Sequence, residues 1–219
     1  MVNSENIGKV LKILESEYKK NRKPIITEIS ELAKNPFKIL IGTLLSLRTK
    51  DEVTKRAANK LFAVADTPQD ILKLSNSQIE KLIFPVGFYH RKAKNLRVIS
   101  EIILQKFLGK VPDNLEELLS LPGVGRKTAN LVLVLGFDKF AICVDTHVHR
   151  ISNRLGFVKT KSAKETEFAL RKKLSKKHWK IYNDYLVSFG QNICKPISPF
   201  CSKCGIEKFC GKISVGKSR

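Results

Sequence analysis

Acidic side chains are scarce in this chain: 20 Asp plus Glu stand against 41 Lys plus Arg, a formal net charge of +21 over 219 residues. A surplus of that size resists compaction, and a polyanionic partner is its simplest explanation, although a solvated lysine-rich surface has the same composition. Long apolar runs are missing as well. None approaches the roughly 18 residues of a membrane span, and Met1-Val2-Asn3-Ser4-Glu5 has no basic stretch leading into an apolar one. The expectation is a soluble intracellular protein, cytoplasmic or nucleoid-associated, with no membrane partner. Cysteine is nearly absent before residue 194, where Cys143 stands alone. An odd total of five, crowded at one end, argues against a disulfide framework and for thiolate ligation in a reducing compartment. Period-two alternation is also rare, which removes sheet-based folds from consideration. There is neither an internal repeat nor a low-complexity linker, so any division into domains must come from packing.

Apolar residues recur at three- and four-residue intervals, so the fold is expected to be all-α. Helices are predicted at about 5–19, 25–33, 36–47, 51–64, 68–73, 76–83, 90–108, 114–120, 126–135, 146–155, 162–174 and 178–190. Thr67-Pro68 supplies a cap followed by proline at the first helical position, and Asp113 with Glu116 has capping-box spacing. Gly136 and Gly156 mark expected helix ends.

Between two of these helices lies Leu121-Pro122-Gly123-Val124-Gly125-Arg126-Lys127-Thr128-Ala129. Gly123 and Gly125 permit tight or left-handed backbone and let a phosphate approach the amides, and the helix opening near Arg126 turns its unpaired N–H groups to the same place. A bare glycine turn between helices is more often only a turn; here the flanking apolar residues, the proline ahead and the Arg-Lys pair behind favour a backbone-binding hairpin. Lys127 falls in the first helical turn beside Arg126, where positive charge is disfavoured, although position alone does not separate it from a solvated surface lysine. Asp145, in Val144-Asp145-Thr146-His147-Val148-His149-Arg150, stands at a helix start. By itself it reads as a helix cap; with Thr146 capping instead, its carboxylate is left to face a cleft.

Cys194, Cys201, Cys204 and Cys210 have the spacing C-x6-C-x2-C-x5-C. Four cysteines suit zinc or an iron–sulfur cubane, but structural zinc sites usually show two C-x2-C knuckles and this array has one. Cys143 reads as a buried core thiol. The four histidines, His90, His147, His149 and His178, form no ligand cluster, and Trp179, Tyr182 and Tyr185 are expected to anchor the last helix.

Taken in order, LPGVGRK, VDTHVHR and the cysteine array resemble the endonuclease III family of base-excision DNA glycosylases, from about residue 25 to Cys210. The resemblance implies a two-lobed helix-hairpin-helix glycosylase fold: a six-helix domain at 27–137, and a second lobe of 1–26 plus 138–219 carrying a 4Fe-4S cluster on the four cysteines. It implies a monomer acting on double-stranded DNA with damaged bases or abasic sites, bound across the cleft between the lobes. Lys127 is implied as nucleophile and Asp145 as essential carboxylate of a glycosylase and abasic-site lyase for oxidised pyrimidines. Arg48, Phe88, His90, Gly123, Gly125, Arg126, His147 and Lys195 are implied DNA contacts, with Phe88 as an apolar wedge. At Arg48 many relatives carry glutamine, and an arginine can bond O6 and N7 of an orphaned guanine. Two alternatives stand beside this reading, a monofunctional adenine or thymine mismatch glycosylase, against which Lys127 speaks, and a non-catalytic DNA-binding iron–sulfur protein.

Overall fold

The computed structural model describes residues 1–21, 23–33 and 35–219. Twelve α-helices account for most of them, with no strand among the described residues. They are α1 Ile7–Lys20, α2 Ile25–Ala33, α3 Pro36–Ser46, α4 Asp51–Phe62, α5 Pro68–Lys73, α6 Asn76–Ile83, α7 Tyr89–Phe107, α8 Leu115–Ser120, α9 Arg126–Phe137, α10 Thr146–Arg154, α11 Ala163–Lys173 and α12 Trp179–Asn192. No helix among the described residues is long and apolar enough to cross a membrane.

Helix starts are set by local chemistry. Thr67 Oγ1 accepts from Asp70 N at 3.2 Å ahead of Pro68, and Ser75 with Gln78 forms a reciprocal capping box. In place of the box expected at Asp113 and Glu116, a cap lies one residue later: Asn114 Oδ1 accepts from Glu117 N at 2.9 Å. Asparagine is as good a cap as aspartate, so two adjacent cap-forming residues left that register undetermined in the sequence. Gly156, in the left-handed region just after α10, matches its expected role. Gly136 does not. It lies inside α9, where a Cβ would sit 3.3 Å from the Pro36 backbone, so its smallness serves close packing of α9 on α3, and the helix ends instead at Asp138 with φ +52°.

Two compact units divide the chain, one of Ile25–Lys139 and one of Met1–Pro24 with Phe140–Arg219. The first is built around α3 and α9, which pack on each other and are buried on nearly every side. Past Lys38 in α3 and past Asn130 in α9 their sequences are nearly all apolar, as a central helix requires. Helices α2, α4, α6, α7 and α8 pack around this pair and one another. In the other unit α12 is the central element, contacted by α1 and α10. Tyr182 is fully buried there with its hydroxyl 3.0 Å from Ser152 Oγ, Trp179 Nε1 donates to Leu174 O, and the Tyr185 ring packs tilted against Tyr18. These aromatics anchor α12, and Cys143 is a buried core thiol.

Candidate nucleic-acid and metal sites

In the Ile25–Lys139 unit the glycine turn joins α8 to α9. Gly123 takes φ +79°, a conformation costly for any residue with a Cβ, and an added Cβ would meet Asn95 Nδ2 of α7 at 2.8 Å. Gly125 differs: its backbone is extended at φ −96°, it is the N-cap of α9, and nothing lies within 4 Å of where its Cβ would be. The first glycine makes the turn; the second leaves open space at the start of α9. Lys127, partly buried, is the second residue of that helix.

Nearby in the same unit, a cavity of about 390 Å³ is lined by Arg48, Phe88, Lys92, Asn95 and Gly123 among others. Arg48 and Phe88 are both left-handed, at φ +55° and +59°, an uncommon state for non-glycine residues that clusters at functional sites. Phe88 is 61% exposed, and the Arg48 guanidinium lies 5.5 Å from its ring centre. His90 does not line this cavity; its Nδ1 lies 2.8 Å from Glu80 Oε2.

In the other unit Asp145 is itself the cap of α10, its Oδ1 accepting from Val148 N at 2.8 Å. Thr146, the cap that would have left the carboxylate free, is exposed and helical. The carboxylate is therefore fixed by the helix start, with one oxygen committed to it. Two arginines on the same helix reach the cysteine segment. Arg150 Nη2 donates to Cys194 O at 2.7 Å and lies 3.1 Å from His147 Nδ1. Arg154, 7% exposed, donates to Lys195 O and Pro196 O at 2.7 and 2.6 Å and approaches Cys194 Sγ at 3.5 Å. Neither arginine stands out in the sequence, where both read as ordinary members of a basic helix.

All four cysteines of the array line one small cavity of about 20 Å³ that also touches Phe189, Ile206 and Val215. They are free thiols. Burial pushes the Cys204 thiol up to about 11 and also raises Cys210. N–H donors are already directed at two of the sulfurs, from Arg154 to Cys194 and from Lys212 N to Cys210 at 3.3 Å. Among the described residues, no three His, Cys, Asp or Glu groups are drawn together closely enough to hold an ion.

Residues 41–176 match the model of the HhH-GPD superfamily base excision DNA repair proteins. Endonuclease III of Thermotoga maritima is 52% identical over 176 residues, covering 80% of this chain and 83% of its own. Two solved structures superpose over 97% of both chains at 33% identity. One is a non-covalent Endonuclease III–DNA complex, with a TM-score of 0.86, and the other a trapped Endonuclease III–DNA covalent intermediate with an estranged adenine, at 0.84. With matches of this extent in sequence and in fold, the chain belongs to the endonuclease III family within the HhH-GPD superfamily.

Proposed function

We infer that this protein removes damaged pyrimidines from duplex DNA and then cleaves the abasic strand, as a bifunctional DNA glycosylase and lyase. The observation that carries the residue assignment is Lys127 in the first turn of α9, behind the open position at Gly125. In this reading the amides around Gly125 hold a phosphate and Arg126 adds charge to it, while Lys195 adds charge from the cysteine segment.

As the N-glycosidic bond breaks, its electron pair leaves with the base and positive charge builds on the sugar, where the Asp145 carboxylate stabilises it. The unprotonated Lys127 amine bonds to C1′ and gives up a proton to solvent. Opening of the C1′–O4′ bond, with O4′ taking up a proton from solvent as it leaves, then gives a protonated imine. That imine takes up electron density when C2′ loses a proton, so the C3′–O bond breaks and the 3′ phosphate departs; water then hydrolyses the imine and returns the lysine. Phe88 occupies the space vacated by the extruded nucleotide and Arg48 bonds the orphaned partner, favouring guanine.

The four cysteines suit a 4Fe-4S cluster: they are free, share one cavity and already attract N–H donors to two sulfurs. When bound, such a cluster ties residues 194–210 into one unit and presents their lysines to phosphate.

Borohydride reduction during reaction with an abasic duplex tests the assignment. A covalent adduct with the wild type and none with Lys127→Ala supports it; an undiminished adduct in the variant assigns the nucleophile elsewhere.

A further inference from the structure

Lys92 is not expected to matter from sequence, where it is one of several basic residues in Tyr89-His90-Arg91-Lys92-Ala93-Lys94. In the fold it is half-buried in the first turn of α7 and reaches the far end of another helix. Its Nζ donates to Leu45 O at 2.8 Å and Leu47 O at 2.6 Å, with Thr49 Oγ1 at 3.4 Å. Leu45 belongs to the last turn of α3, and Leu47 is its C-cap. The ammonium thus sits on orphan carbonyls at the negative end of a helix dipole, where a cation is favoured.

The segment it closes is the one that carries Arg48. Thr49 Oγ1 also accepts from Gly87 N at 3.1 Å, and a Cβ on Gly87 would stand 2.6 Å from Arg48 O, so the loops bearing Arg48 and Phe88 touch directly. One lysine and one threonine hydroxyl therefore join the end of α3, the Arg48 loop and the Phe88 loop. Both loops hold a non-glycine residue in the left-handed region, which the chain keeps only where its surroundings enforce it.

We propose that Lys92 is a positioning residue that clamps the end of α3 and so holds Arg48 and Phe88 in the arrangement that distinguishes the base opposite the lesion. This rests on the reading of Arg48 given above. Lys92 touches no substrate atom in it; its effect passes through the loop backbone.

Burial lowers the Lys92 amine to about 8. The charged side chains lining the cavity with it are Arg48 and Arg91; Leu44 and Leu47 from the α3 side, Asn95 and Leu96 from α7 and Gly123 from the hairpin bring no charge. A neutral amine keeps only two N–H groups and loses its attraction to the helix end. The clamp therefore loosens as pH rises through about 8.

The test is the ratio of single-turnover base-removal rates for dihydrouracil opposite G and opposite A, in which the chemistry common to both substrates cancels. Wild type is expected to favour G by about tenfold, the scale of one bidentate base contact. Lys92→Met should bring the ratio near one while borohydride trapping on an abasic duplex stays close to wild type, and Lys92→Arg should restore most of the ratio. The wild-type ratio should also fall above pH 8, and that of Lys92→Arg should not. A ratio kept by Lys92→Met but lost in Arg48→Ala overturns the clamp and leaves the Arg48 reading intact. If Arg48→Ala itself keeps the ratio, the Arg48 reading fails and the clamp falls with it. Should Lys92→Met not fold, the comparison with Lys92→Arg decides: a wild-type ratio that falls above pH 8 while that of Lys92→Arg holds supports the clamp, and a wild-type ratio that holds as well overturns it.

Discussion

Alanine at the two hairpin glycines should separate turn-making from ligand access. At Gly123 the left-handed φ of +79° costs an alanine about 1–2 kcal/mol. The added Cβ must also displace Asn95 Nδ2 from 2.8 Å, and because that atom ends a movable side chain the extra cost is about 0.5–1 kcal/mol. Alanine's lower entropy in the unfolded chain offsets about 0.4–1 kcal/mol. Gly123→Ala is therefore expected to lose about 1–2 kcal/mol, which for a chain of this size lowers Tm by about 2–8 °C. Adding Asn95→Ala should recover the steric part and not the backbone part, so the double-mutant cycle should give a coupling of about 0.5–1 kcal/mol. At Gly125 the backbone is extended and the space is open, so Ala loses a little as an N-cap and gains about as much through the unfolded state. Tm should stay within about 2 °C. Yet the new methyl fills the open space at the start of α9, and affinity for a duplex containing a tetrahydrofuran abasic analogue should fall about tenfold or more. Circular dichroism melts and fluorescence anisotropy read the two quantities. A Gly125→Ala protein that binds like wild type refutes the phosphate cradle; a Gly123→Ala protein that melts like wild type refutes the strain argument.

Asp145→Asn keeps a good N-cap while removing the charge, so stability should hold within about 0.5 kcal/mol while single-turnover base removal drops about 10²-fold or more. Asp145→Ala should lose both, and equal activity in Asn and wild type would remove the electrostatic role. Arg154→Met strips its donors from Lys195 O and Pro196 O, leaving carbonyls that each cost about 1–3 kcal/mol if unpaired; amide exchange across 194–200 should quicken, and unchanged protection would contradict this. Lys92 also makes stability depend on pH. The unfolded chain holds this proton up to about 10.5 and the folded chain only to about 8, so folding gains stability as pH rises between those values. Urea midpoints of wild type should therefore improve relative to Lys92→Met between pH 8 and 10, and a difference that is flat with pH would exclude the shift. Affinity for undamaged duplex should decline steeply with salt through counterion release at the basic surface; a flat response in anisotropy titrations would contradict it.

Helix positions were legible in the sequence because the three- and four-residue apolar rhythm is strong and most ends carry their own caps. Two residues can compete for one role. Asp113 and Asn114 are both cap-forming, and Asn114 takes the place expected of Asp113; Asp145, which by itself reads as a cap, is one, with Thr146 inside the helix. Gly136 was misread because a helix-ending glycine and a glycine that admits a neighbouring helix look identical until Pro36 is known to lie against it. The hairpin and the cysteine array were visible because each is contiguous or nearly so. Lys92 and Arg154 were not: their partners lie 45 and 42 residues away at Leu47 and Pro196, and only tertiary packing turns a surface-type side chain into a buried donor.

Because α1 belongs with residues 140–219 and packs on α12, a helix made early in translation has to wait for one made late. The contiguous Ile25–Lys139 segment has no such delay and can acquire its hairpin while the remainder is still being translated. Assembly in the cell should thus run from the middle outward. Stalled chains released after residue 139 would carry the finished α8–α9 hairpin while α1 still exposes Val10, Leu11 and Leu14, which are buried once α12 is in place.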